Sequence, residues 1–168
     1  MESINKELFM KCVVVLIFLS VSVCSNAQKL SLPELMSLRT LSAEKADAFL
    51  KGKGFTVARN SKEGDATITM YRSQVIENGK IVSRIVNVSR HDTDISLHYG
   101  LFDKKEADSL ISWLESDGFA FKGKKLLVAK QIQSTYTKDQ KTIFFIEVAY
   151  EGSPVLYQFA IHSPQHFQ

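Results

Sequence analysis

Apolar residues recur along this chain at two spacings. In Ala46-x2-Phe49-Leu50-x3-Gly54-Phe55, and again in Leu110-x2-Trp113-Leu114-x3-Gly118-Phe119, they fall three and four apart, the spacing that lines one face of an α-helix. Each stripe stops at a glycine, Gly54 or Gly118, the residue that most easily takes the left-handed conformation closing a helix. Helix starts precede both stripes. Leu41-Ser42 and Phe102-Asp103 each set an apolar residue before a capping side chain, and Glu106 stands three residues after Asp103 as in a capping box. A shorter helix is predicted over 31–39, with Ser31 as its cap and Glu34 in its first turn. Phe49 and Trp113 occupy equivalent places in the two stripes, and that spacing marks them as core residues.

After each Gly-Phe the period shortens toward two. Strands are predicted over 66–76 and 81–89, on either side of Asn78-Gly79, a dipeptide suited to a tight hairpin turn, and over 95–99. Further strands are predicted over 126–136 and 142–150, with a loop over 137–141 between them, and over 155–162 after Glu151-Gly152-Ser153-Pro154. In the last of these, Val155, Tyr157, Phe159 and Ile161 alternate with Leu156, Gln158, Ala160 and His162, so one face is predicted buried and the other partly wet. Because the two blocks match at a constant offset, an internal duplication is expected, with similar halves over about 30–100 and 101–162. The predicted class is α+β: a tandem repeat of a helix followed by three or four antiparallel strands, the helices packed on one face of the sheet.

The first 27 residues follow a different pattern. Lys6 and Lys11 precede an apolar run over 12–23, and Ser25-Asn26-Ala27 places small residues where a signal peptidase cuts. The run is shorter than the roughly 20 residues a membrane span needs, so residues 1–27 are expected to be a cleaved signal peptide. A single domain over 28–168 remains, exported to the periplasm or the medium, with no membrane span after cleavage. Attachment of lipid at Cys24 is the minor alternative. Both cysteines, Cys12 and Cys24, lie in the leader, so the remaining domain is expected to fold on its core without a disulfide. Its formal charge is carried past the leader, where Lys6 and Lys11 are cancelled by Glu2 and Glu7. At +3 it is too diffuse for a nucleic-acid interface.

Two helix-then-strand units in an exported chain, each helix leaving through Gly-Phe, resemble the tandem-repeat fold of the β-lactamase-inhibitor proteins. The chain is also similar to exported proteins of the Bacteroidetes with a leader ending in Ala-Gln and a Leu-x3-Gly-Phe helix exit. The resemblance covers most of residues 30–162, and it implies a sheet face and hairpin loops that bind a partner protein. The disulfides of the inhibitor family have no counterpart after the leader, and none of that family's inhibitory residues finds a matching position here.

Candidate chemistry is sparse. His91-Asp92-Thr93-Asp94 is the densest polar cluster, but its place between two strands suits a solvated turn better than a metal site. His162 and His166 stand four apart with Pro164 between them, which argues against a helical metal pair. His98 lies alone on a strand, no Gly-x-Ser-x-Gly element occurs, and no cysteine follows the leader to act as a nucleophile. No metal, no cofactor and no enzymatic activity are therefore expected, and a hydrolase of unrecognised type ranks last. The leading expectation is a non-catalytic envelope protein that binds another envelope protein. Tyr71, Arg72, Tyr136 and Tyr150 are its candidate contact residues, because Tyr and Arg dominate interface energetics. A lipid- or glycan-binding envelope protein is the alternative, with Lys122, Lys124 and Lys125 as the charged contacts.

Overall fold

A computed structural model describes residues 29–92 and 94–162. The leader over 1–27, with Cys12, Cys24 and the expected cut after Ala27, lies outside the described residues, as do Thr93 and His166. Among the described residues no helix is long and apolar enough to cross a membrane.

The described chain runs α1 (Leu32–Leu38), α2 (Ala43–Gly52), β1 (Thr56–Glu63), β2 (Ala66–Glu77), β3 (Lys80–His91), β4 (Asp94–Leu101), α3 (Lys104–Ser116), β5 (Ala120–Leu126), a 3-10 turn (Val128–Lys130), β6 (Ile132–Lys138), β7 (Lys141–Val148) and β8 (Leu156–Ile161). These strands belong to one antiparallel sheet in the order β1-β2-β3-β4-β8-β7-β6-β5.

The predicted class is corrected by this arrangement. Strand accounts for 51% and helix for 25%, so the molecule is sheet-dominated and is not a tandem repeat of helix-and-strand units. The physical reason is the central pairing. β4 and β8 bond to each other from Leu97↔Ile161 to Leu101↔Tyr157, which merges the strands into a single eight-stranded sheet. Hydrophobic spacing reports which face of a strand is buried, and it carries no record of which strands will become neighbours.

The helix ends form for the reasons their residues suggest. Ser31 accepts from the Glu34 amide while the Glu34 carboxylate accepts from the Ser31 amide, a closed capping box. Ser42 and Asp103 cap α2 and α3 in the same way, accepting from Lys45 and Glu106. At the exits, Gly54 and Gly118 sit at φ 79° and 87°. There the amides of Phe55 and Phe119 reach back to the carbonyls of Leu50 and Leu114 at 3.0 and 2.9 Å. This is the Schellman arrangement, and it explains the repeated Gly-Phe: the glycine supplies the positive φ, and the phenylalanine after it is delivered into the core.

The three helices contribute to one apolar cluster on one side of the sheet. Leu32, Leu35 and Leu38 of α1, Ala46 and Leu50 of α2, and Ala107, Leu110 and Leu114 of α3 are buried there. They meet a cross-strand row in which Tyr71, Val86, Tyr99, Phe159 and Phe145 are successive neighbours. Phe49 and Trp113 pack against this cluster, partly buried.

Several boundaries differ from the sequence reading. Hydrophobic alternation predicts no strand at β1 or β5: they are the two sheet edges, polar and almost wholly exposed, so nothing in their pattern marks them. Both carry a register shift, between Val57 and Arg59 and between Phe121 and Gly123, and such bulges with exposed lysines keep an edge from pairing with other chains. The strand predicted over 126–136 is interrupted by the 3-10 turn and begins only at Ile132. The loop predicted over 137–141 shrinks to a turn at Asp139-Gln140, with Asp139 at φ 53°. The Asn78-Gly79 hairpin forms as expected, at φ 51° and 75°.

Candidate functional face

Because strand residues alternate sides, covering one face with helices leaves the other face of the sheet, among the described residues, without a layer over it. Two cross-strand rows run along it. One passes through Met70, Asn87, His98, Ala160, Phe144 and Thr135, the other through Arg72, Ile85, Gly100, Gln158, Ile146 and Gln133. Most of these residues are half-buried. A hollow of about 620 Å³ is lined by residues including Ser89, His91, Asp94, Ser96, Phe144 and His162. A second of about 370 Å³ shares Ser89 and Ser96 with it and extends over Arg59, Met70, Asn87 and His98 toward the β1 edge. The two form one trough across the sheet.

His98 is the most constrained group in the trough. Burial, and then the neighbouring His162, lower its pKa to about 4. The Gln158 amide lies 2.7 Å from Nδ1. An amide nitrogen can only donate, so Nδ1 is the acceptor and the neutral ring carries its proton on Nε2. His162 meets His98 edge to face, with ring centroids 5.3 Å apart, and lies 5.8 Å from Phe144. With Nδ1 accepting from Gln158 and the proton on Nε2, the neutral ring as held here has no free nitrogen lone pair with which to take a proton. Nearby, Asn87 Oδ1 is buried with no hydrogen-bond partner among the described residues.

The four contact residues expected from sequence separate into two groups. Tyr71 and Tyr136 lie on the helix side and are buried, at 5% and 6% exposure. The Tyr71 hydroxyl donates to Asp47 Oδ1 of α2 at 3.4 Å, and the Tyr136 ring packs against Phe121. Both are structural, because a strand that alternates cleanly sends its odd and even residues to opposite sides. Arg72 is exposed on the open face, one residue from Tyr71. Tyr150 is exposed in the loop between β7 and β8. The structure therefore does not bring the four together.

His91-Asp92-Thr93-Asp94 falls at the β3–β4 turn, with Asp92 at φ 50° and His91 Nδ1 4.0 Å from the Asp92 carboxylate. Among the described residues no group of three or more His, Cys, Asp or Glu could hold a metal ion.

Sequence patterning gives no sign of the most buried charged group among the described residues. Arg84 of β3 lies on the helix side at 0% exposure. Its Nε donates to both carboxylate oxygens of Glu106 at 2.9 and 3.0 Å, and its Nη2 donates to Glu106 and to Glu77 at 2.8 Å each. The Tyr99 hydroxyl donates to the same Glu106 at 3.3 Å. Burial by itself would weaken the hold of Arg84 on its proton, but the bonds to Glu106 and then Glu77 outweigh that and raise its pKa above the ordinary value. Glu106 therefore completes only half of the expected capping box: its amide is capped by Asp103 while its carboxylate turns inward to clamp β3. The arrangement ties α3 to β3 and, through Glu77, to the end of β2.

No protein-family model matches the chain, and no curated protein or solved structure matches it either. These comparisons neither support nor oppose the resemblance to the β-lactamase-inhibitor proteins, and the tandem repeat on which it rests is not the arrangement found.

Proposed function

We propose that the chain is an exported, non-catalytic binding protein of the cell envelope that seats another envelope protein on the uncovered face of its sheet. One observation carries this reading: the trough across β1–β4, β8 and β7, lined by Arg59, Met70, His98 and Phe144, with Arg72 exposed beside it on the same side of the sheet. Partly apolar, partly polar surface with Arg, Met and aromatic residues is the composition that interface centres favour. Export rests on the leader pattern of residues 1–27.

Affinity capture from native envelope extract tests it, with the wild type and three variants side by side. Met70→Asp and Phe144→Asp place charge in the trough, while Lys45→Glu alters the exposed start of α2 on the other side. One protein should be retained by the wild type and by Lys45→Glu and lost from both trough variants. Retention of the same protein by all three variants would remove the open face from the account.

A further inference from the structure

We propose that the β5–β6 turn, with the edge strand leading into it, is a docking element for the surface of an anionic lipid bilayer. Large apolar side chains crowd this turn without covering: Leu126 is 71% exposed and Val128 86%. Ile132, which opens β6, and Tyr150, in the adjacent β7–β8 loop, are exposed at the same end of the sheet, since Ile132 pairs with Glu147 close to the end of β7. Exposed side chains of this size scattered singly need no explanation, but these four are gathered on the β5–β6–β7 side of that end, across the sheet from the exposed pair Ile76 and Ile81 of the β2–β3 hairpin, and such a group marks a contact surface.

Charge selects the occupant. From Gly118 to Lys138 the sequence contains Lys122, Lys124, Lys125, Lys130 and Lys138 and neither Asp nor Glu. The first four of these lysines are exposed and flank Leu126 and Val128 along the edge and turn. With Glu147 opposite Ile132 and Glu151 beside Tyr150 as its neighbouring carboxylates, the tip still carries an excess of exposed lysines, and an apolar tip so collared matches a bilayer, whose anionic headgroups meet the amines while the acyl boundary takes the Leu and Val side chains. Tyr150 suits the same boundary, because its ring is apolar and its hydroxyl is wet. A soluble acidic partner would satisfy the lysines and leave Leu126 and Val128 in water. The turn also holds its shape against local preference. Ala129 and Lys130 both sit in the left-handed region, at φ 56° and 59°, and the Leu127 amide closes the turn onto the Gln131 carbonyl at 2.8 Å. That conformation keeps Val128 outward.

This element is distinct from the trough, so its failure leaves the open-face reading intact. The test is co-sedimentation of the full chain, as recovered from producing cells, with vesicles of phosphatidylcholine alone or with about one-third phosphatidylglycerol. The wild type should partition at least about tenfold more strongly onto the anionic vesicles and lose that preference in about 0.5 M salt. Leu126→Ser/Val128→Ser, and separately Lys124→Ser/Lys125→Ser, should each reduce partitioning about tenfold, and Ile76→Ser/Ile81→Ser, an exposed apolar pair on the β2–β3 hairpin, should not. All four proteins pass through the same processing at the leader, so whatever that leaves at the N-terminus contributes equally to each. As a second measurement, a Val128→Trp variant, read as its difference from the wild type to remove the Trp113 signal, should shift its emission to the blue on anionic vesicles and not on neutral ones. Equal partitioning of the wild type and the Leu126/Val128 variant, or no blue shift from Val128→Trp on anionic vesicles, overturns the proposal. So does binding to soluble polyglutamate as tight as to vesicles.

Discussion

Replacing Arg84 with Met is the perturbation whose outcome the structure constrains most tightly. Arg84 is fully enclosed, and the Glu106 carboxylate that it clamps is only 11% exposed. Methionine fills much of the volume but leaves Glu106, which also accepts from Tyr99, without a cation, and leaves Glu77 with only the distant Lys29. Removing one member of a buried pair costs about 3–5 kcal/mol, because the remaining charge stays desolvated. For a domain of this size that corresponds to a fall in Tm of roughly 6–20 °C. The opposite single change, Glu106→Leu, should cost a similar amount. The double variant should recover most of the loss, because two apolar groups in a dry site are nearly neutral relative to the pair. Urea unfolding followed by circular dichroism at pH 7 supplies all four corners of the cycle. The coupling should exceed about 2 kcal/mol and change little with salt, since buried pairs are poorly screened. A loss below about 1 kcal/mol in Arg84→Met, or simple additivity in the double variant, would refute the clamp.

The remaining predictions concern exposure, titration and capping. Tyr71→Ala and Tyr136→Ala should each destabilise by about 3–5 kcal/mol as buried aromatic truncations. Arg72→Ala and Tyr150→Ala should stay within about 0.5 kcal/mol; equal losses from all four in thermal melts would contradict the burial of the first pair and the exposure of the second. His98 binds its proton more weakly folded, at about 4, than unfolded, so its contribution is fully present above about pH 6.5 and is lost as pH falls toward 4. Wild type minus His98→Gln should therefore change by up to about 3 kcal/mol across that window in urea titrations at several pH values, and a flat difference would exclude a buried neutral ring. Ser31→Ala should cost about 1 kcal/mol by opening the capping box with Glu34, and an unchanged denaturation midpoint would show that the box contributes nothing.

Local features are legible where one residue type answers one local demand. Ser31, Ser42 and Asp103 start helices, Gly54 and Gly118 stop them, and Asn78-Gly79 turns a hairpin, because each solves a backbone problem within a few residues. Long-range choices leave no such mark. The pairing of β4 with β8 joins segments some 60 residues apart and decides the fold class, yet each strand would read the same in a different sheet. The edge strands are invisible because an edge with both faces wet has no alternation to display. Among site residues, Arg72 and Tyr150 stand in accessible places, while Tyr71 and Tyr136 do not, because residue type alone says nothing about side. Alternation could have separated Tyr71 from Arg72, since neighbours on a strand face opposite ways. The Arg84–Glu106 pair has no sequence signal, because a charged residue at a strand position reads as outward-facing until its partner is known.

The most direct measurement is site-specific photo-crosslinking in living cells, with the photoreactive residue placed in turn at Met70, Arg72 and Phe144 on the open face and at Lys45 and Lys51 on α2. One discrete adduct with the same envelope protein is predicted from the first three positions and none from the helix positions. Adducts from Lys45 and Lys51 alone, or a different unrelated smear from every position, would contradict the open face as the binding surface.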